Sequence, residues 1–397
     1  MYNQKMLALG QVRSVIRETF EYGNRRKAEI GKENVFDFSL GNPSTPPPPC
    51  VNDTLIQLLQ TASPTDLHGY TSAPGDMLVR QAVAGYIAST YHANITADGI
   101  YMTCGAAASL TISIHALACE EDEFIVFAPY FPEYRVFVEK AGAKLVVVEP
   151  DYATFGIHYE DLASKITPHT KGVILNTPNN PTGRVLKKAE LERLADMLKA
   201  ASGAYGHPIY LLSDEPYRHL VYDETAPLPY LTNLYPATLV CDSFSKCLSL
   251  PGERIGYVAI SHDMPNYAEV FAALCGAGRA LGFVCAPSLM QKMLPACLGE
   301  TADLSAYRLN RDLLYQHLTV YGFECIYPDG AFYLFLKSPI PDANAFCLKA
   351  RDFELLLVAS DSFGCPGYVR IAYCVATDMI ERSLPAFKAL ADFYHLG

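Results

Sequence analysis

The sequence predicts an α/β protein, with a large domain built on a mainly parallel sheet covered by helices and a smaller α+β domain formed by both chain ends. Three observations predict it. Short, nearly continuous apolar runs alternate with helical patterns between about residues 124 and 260, as expected of strands buried on both faces. A proline-rich segment, Pro43 to Pro49, interrupts the chain early, and its rigid, extended backbone makes a natural crossing between domains. From about Ala286 onward the pattern changes to a long helical stretch followed by isolated strands. The expected division is 1–45 with 286–397 for the small domain and 46–285 for the large one.

Taken in order, residues from about Val12 to Ile30 carry charges and apolar side chains at helical spacing, with Gly31 as the stop. Val35 to Leu40 alternates like a short strand before Gly41-Asn42-Pro43. The apolar runs Phe124–Ala128, Leu145–Val148, Gly172–Asn176, Ile209–Ser213, Leu239–Asp242 and Gly256–Ile260 then read as buried strands. Pro129, Asn176, Asp214 and Ser243 stand at their downstream ends. Ligands of open α/β sheets gather at the carboxyl ends of strands, so these four places should converge. A helix is expected through Tyr307–Asp312, and strands at Ala331–Phe335 and Tyr368–Tyr373. No internal repeat is visible.

Half of the 397 residues are hydrophobic, enough for a large buried core. The net charge of -11 leaves no basic excess to replace phosphate counterions, which excludes a nucleic-acid binder. The cluster Arg25-Arg26-Lys27 reads as a solvated helix face. Twelve cysteines are scattered singly without metal-type spacing, and Cys119, Cys275, Cys285 and Cys374 lie in apolar runs. They read as reduced thiols, with no metal site expected. No signal-peptide stretch follows Met1–Met6, and no apolar run reaches the roughly 18 to 20 residues of a membrane span. The expected location is the cytoplasm.

The run Ser243-Phe244-Ser245-Lys246-Cys247, followed by Arg254 and Gly256, places one lysine between two hydroxyls and ahead of an arginine. A lysine whose pKa is lowered by desolvation and nearby cations can form a Schiff base with an aldehyde. The serines and the arginine would then hold a phosphate. Asp214 closes a strand, with Tyr217 three residues on. A carboxylate there can keep the ring nitrogen of pyridoxal phosphate protonated, making the ring an electron sink; an acid at a strand end also caps a following helix.

Asn176-Thr177-Pro178-Asn179-Asn180-Pro181-Thr182-Gly183 is dense in turn formers. The Asn180 amide can donate to a phenolate oxygen, although such a segment also serves as a plain tight turn. Gly105-Ala106-Ala107 opens an apolar helix. Its free N–H groups suit a phosphate, and its small side chains suit close packing equally well. Phe131 offers an aromatic face for a flat cofactor or for a core. Arg370 lies among apolar neighbours, where a guanidinium needs a partner, either a substrate carboxylate or a buried acid.

Together these residues resemble the class I/II aminotransferase family of fold-type I pyridoxal-phosphate enzymes, the aspartate aminotransferase-like group. The resemblance runs from Gly41-Asn42-Pro43 to Arg370. It implies that Lys246 holds the cofactor pyridoxal 5'-phosphate by a Schiff base and then moves the α-proton. It further implies that Asp214 pairs with the pyridine nitrogen and that Tyr217 and Asn180 bond the phenolic oxygen. The phosphate falls to Arg254, Ser243 and the backbone amides of Ala106 and Ala107, and Phe131 stacks on the ring. Arg370 takes the substrate α-carboxylate, with Gly41 and Asn180 beside the substrate. Tyr70, in His68-Gly69-Tyr70-Thr71, matches the tyrosine given to the neighbour's phosphate, so the resemblance implies a homodimer with shared active sites.

The reaction implied is amino transfer between an L-amino acid and a 2-oxo acid, of aspartate/glutamate type if Arg279 meets a distal carboxylate. Arg279 equally suits a structural ion pair. Cysteine C–S β-elimination by the same carbanion is the alternative reaction, and a non-catalytic pyridoxal-phosphate-binding regulator is the alternative of another class. No helix-turn-helix segment precedes the domain to favour a fused DNA-binding regulator.

Overall fold

A computed structural model describes residues 2–11, 14–223, 225 and 227–397, and the chain forms two compact units. One unit holds residues 45–180 and 184–304, and the other holds 1–44, 181–183 and 305–397. The break between 44 and 45 falls inside the proline-rich segment.

Seven strands form the sheet of the larger unit. Their spatial order is Ile100–Thr103, Gly256–Ile260, Thr238–Ser243, Tyr210–Asp214, Thr170–Asn176, Glu123–Phe127 and Lys144–Val148. Neighbours run parallel except at Gly256–Ile260, which is antiparallel to both of its partners. Six of the seven are the apolar runs read from the sequence. Ile100–Thr103, at four residues, is too short to stand out in sequence and is specified by its pairing with Gly256–Ile260.

Both faces of this sheet are covered, and individual strands record it. In Gly256–Ile260, Val258 and Ile260 join one apolar cluster with Ile112, Phe124 and Leu194. Tyr257 and Ala259 join a second with Val83, Met102 and Met293. Successive strand side chains point to opposite faces, so a sheet covered twice shows no polar alternation. The helix Lys188–Tyr205 presents Leu191, Leu194, Ala195 and Leu198 to the first cluster, the spacing of one helical face. Glu190 caps its first turn by accepting the Lys187 N–H at 2.8 Å, and Gly206, at φ 74, ends it.

The residues from 286 to 304, expected with the small domain, group with the larger unit. Burial is the reason: Ala286, Met290, Met293, Leu294 and Cys297 are all part of the cluster that holds Val83 and Met102.

In the smaller unit, Val358–Ala359, Tyr368–Ala372, Tyr333–Lys337 and Cys325–Ile326 form an antiparallel sheet in that order. The strand expected over Val35–Leu40 shortens to Phe36–Asp37, paired in parallel with Leu355–Leu356. The helix expected from Val12 is described from Val15 to Ile30, capped by Ser14 and stopped at Gly31, φ 92; Val12 lies outside the described residues. A helix that the sequence pattern did not single out, Thr377–Phe393, buries Ile380, Phe387 and Leu390. The Phe387 ring lies 5.7 Å from that of Phe38, which joins the two ends of the chain in one core. Among the described residues no helix is long and apolar enough to cross a membrane.

Candidate active site

The carboxyl ends of the central strands carry the polar residues of the larger unit. Thr238–Ser243 ends in Asp242 and Ser243, and Ser243 caps the short helix Phe244–Cys247 that contains the half-buried Lys246. The Asp242 carboxylate accepts the Ser243 N–H at 2.6 Å and the Tyr257 hydroxyl at 3.0 Å. Burial, and then the negative charge of Glu215, push the Asp242 carboxyl up to about 7.

Beside this turn the backbone packs too closely for side chains. A Cβ at Gly256 would come within 2.4 Å of the Asp242 carbonyl and 3.0 Å of the Gly105 Cα. A Cβ at Gly105, φ 90, would sit 2.8 Å from Arg254 Nη2. Gly105 is the cap of the helix Ala106–Leu117, so Arg254, Ser243 and that helix start converge. Arg254 itself holds φ 52, a conformation costly for a side-chain residue, and donates from Nη1 to the Pro251 carbonyl at 3.0 Å.

Asp214 stands on the adjacent strand, with Asn176 opposite it on the next. Both it and Tyr217 are buried. The Asp214 Oδ2 accepts the Tyr134 hydroxyl at 2.5 Å, whereas the buried Oδ1 has no partner among the described residues. Burial pushes this carboxyl up to about 7 against the pull of the Tyr134 hydroxyl, and Glu215 adds a smaller push. Asn176 donates to the Asp214 carbonyl at 2.8 Å and accepts the Asn180 N–H at 2.7 Å. One side chain therefore ties the turn-rich segment to the strand that carries the acid.

The turn after Asp214 is anchored from behind. Arg218 pairs with Glu215, both buried, and its guanidinium lies about 5 Å from the rings of Tyr91 and Tyr230. Phe131 meets the Tyr134 ring edge-on at 5.7 Å and 84°. Next to these residues lies a small, partly solvent-open pocket lined in part by Pro129, Tyr130, Tyr134, Asn176, Asn179 and Arg184.

Tyr70 is 92% exposed. Arg279 is exposed in the last turn of the helix Tyr267–Ala280. Arg370, 2% exposed, belongs to the smaller unit, where it donates to the Ser39 carbonyl at 2.5 Å. Its guanidinium lies 4.8 Å from the Tyr333 ring and 5.3 Å from that of Phe363. In the same unit a Cβ at Gly41 would reach to 2.1 Å from the Tyr333 hydroxyl, so any side chain there would have to displace the Tyr333 ring.

Sequence reasoning passed over Tyr134, Asp242 with Tyr257, and the bridging role of Asn176. An acid closing an apolar strand was an available signal for Asp242. Tyr134 carried none, because its contact with Asp214 spans 80 positions of sequence.

Residues 33–387 match the family model described as aminotransferase class I and II. An aspartate aminotransferase of Thermotoga maritima is 28% identical over 396 residues, covering 95% of this chain and 96% of that protein. Aromatic-amino-acid aminotransferase 2 of Thermococcus litoralis is 28% identical over 370 residues, covering 89% and 91%. The crystal structure of an amino transferase from Eubacterium rectale superposes with a TM-score of 0.96 at 53% identity, covering 99% of each chain. With a family match over most of its length and a relative this similar from end to end, the protein belongs to the class I and II aminotransferases.

Proposed function

We propose that this aminotransferase uses pyridoxal 5'-phosphate to move an amino group between an L-amino acid and a 2-oxo acid, with aspartate or glutamate as the amino donor. The observation that carries the cofactor reading is Asp214 Oδ1, a buried acceptor with no partner at a strand end. A ring N–H is the donor that such an atom lacks. The glycine-lined approach of Gly105 and Gly256 to Arg254 and Ser243 supports an anion cradle on the next strands.

In this reading Arg254, Ser243 and the amides of Ala106 and Ala107 hold the phosphate, and Phe131 stacks on the ring. Tyr217 and Asn180 bond the phenolic oxygen, and Lys246 holds the aldehyde. When bound, the cofactor supplies an electron-accepting ring that stabilises negative charge at the substrate α-carbon. Once the amino substrate has displaced it from the aldehyde, the freed Lys246 Nζ would take the α-proton as a general base and give it to the former aldehyde carbon as a general acid. Arg370 takes the α-carboxylate through its planar fork, with Gly41 beside it. A dicarboxylic donor needs a second cation, and Arg279 is the residue assigned to it. The relatives named for aspartate support that choice of donor.

We further propose a homodimer with shared sites. Tyr70, almost fully exposed on its own chain, is the side chain offered to the neighbour's phosphate. The domain roles follow: the larger unit binds the cofactor and the smaller one the substrate carboxylate. The free cysteines support a cytoplasmic setting.

The test is a purified-enzyme assay with an amino-acid panel, following oxo-acid product and ammonia separately. The expected result is amino transfer without ammonia, strongest with aspartate or glutamate. Ammonia and pyruvate released from cysteine conjugates, without amino transfer, would replace this reading by β-elimination.

A further inference from the structure

We propose that Tyr134 is a positioning residue, which holds Asp214 through Oδ2 and thereby leaves Oδ1 turned toward the ring nitrogen of the cofactor. The inference rests on the reading of Asp214 as the partner of that nitrogen. The hydroxyl–carboxylate contact is short, 2.5 Å, and both side chains are buried. The other oxygen has no partner. A carboxylate held by one oxygen, with its backbone carbonyl held by Asn176 at 2.8 Å, cannot swing freely, so the open oxygen has a set direction.

The charge balance points the same way. Burial drives the Asp214 carboxyl toward its neutral form, and the Tyr134 hydroxyl, by donating to it, opposes this and favours the ionised one. Only the ionised form can accept a proton shared with a ring nitrogen. Burial and the neighbouring Asp214 raise the pKa of Tyr134 well above the usual value, so its hydroxyl keeps its proton and stays a donor near neutral pH. The groups facing Asp214 are thus Tyr134 from the helix Glu133–Lys140, Glu215 from its own turn and the buried Cys241 thiol from the neighbouring strand, with Tyr217 close to Tyr134. Of these only Tyr134 is placed to stabilise the carboxylate charge.

The experiment uses the loaded enzyme and Tyr134→Phe, which removes one oxygen and keeps the ring contacts with Phe131. Each protein is loaded with pyridoxal phosphate and with the analogue whose ring nitrogen is replaced by carbon. Cofactor dissociation constants and the pH midpoint of the bound cofactor's visible absorbance are measured. With pyridoxal phosphate, the variant is expected to bind about tenfold more weakly and to shift the midpoint up by about one unit. With the carbon analogue, wild type and variant should coincide. An unchanged midpoint and affinity with pyridoxal phosphate would overturn the proposal, as would an equal shift with the carbon analogue, which would make Tyr134 a packing residue. If wild-type enzyme itself does not distinguish the two cofactors, the reading of Asp214 falls instead.

Discussion

Two buried carboxyls, Asp214 and Asp242, end adjacent strands and are both pushed up to about 7 by burial. In the unfolded chain each would titrate near 4. Between about pH 4 and pH 7 these two carboxyls therefore hold more protons in the folded, cofactor-free protein than in the unfolded chain, and their contribution to stability falls as pH rises. Asp214→Asn removes one titrating group. Thermal melts of the cofactor-free protein across this range should show a shallower decline in the variant; equal slopes would mean that Asp214 is ionised throughout. Loss of the Lys246 amine has a chemical readout: Lys246→Ala should leave no borohydride-reducible link to the cofactor, detected by mass spectrometry. If Arg370 takes the α-carboxylate as proposed, its fork matters more than its charge. Arg370→Lys should lower kcat/KM by about 10- to 100-fold for every amino acid alike, and a selective loss of dicarboxylic substrates would assign it a different task.

Glycines set how closely the strands and the helix start approach each other around Arg254. Gly105→Ala adds a methyl 2.8 Å from Arg254 Nη2 at a backbone φ of 90. Both the clash and the strain act at the proposed anion cradle. The expected outcome is weaker cofactor binding by equilibrium dialysis, with the far-UV circular dichroism of the fold retained. Away from the site, the helix Lys188–Tyr205 is held by its apolar face. Leu194, 1% exposed, when cut to alanine should cost about 2–5 kcal/mol in denaturant unfolding, without changing cofactor affinity.

For the whole molecule, a shared site can be tested by mixing subunits. Tyr70→Ala and Lys246→Ala homodimers should each be impaired. A hybrid joins one chain with an intact Lys246 to another with an intact Tyr70, so one of its two sites is complete. Refolded mixtures should recover about a quarter of wild-type activity if subunits pair at random. No recovery, with mixed dimers detected by native mass spectrometry, would show that the sites do not exchange Tyr70.

Six strands of the large sheet were legible because burial on both faces writes them as continuous apolar runs in the sequence. So were Lys246, Asp214, Asn180 and Arg254 as candidates, since unusual polar residues and turn formers follow those runs directly. The grouping of residues 286–304 with the larger unit was not legible, because Met290 and Met293 are apolar whichever core they join, and local pattern carries no address. The same reason hides the Tyr134–Asp214 contact and the approach of Gly105 to Arg254. Residue chemistry and local spacing are written along the chain, whereas partner choice in a closely packed core depends on which distant segments fold against each other.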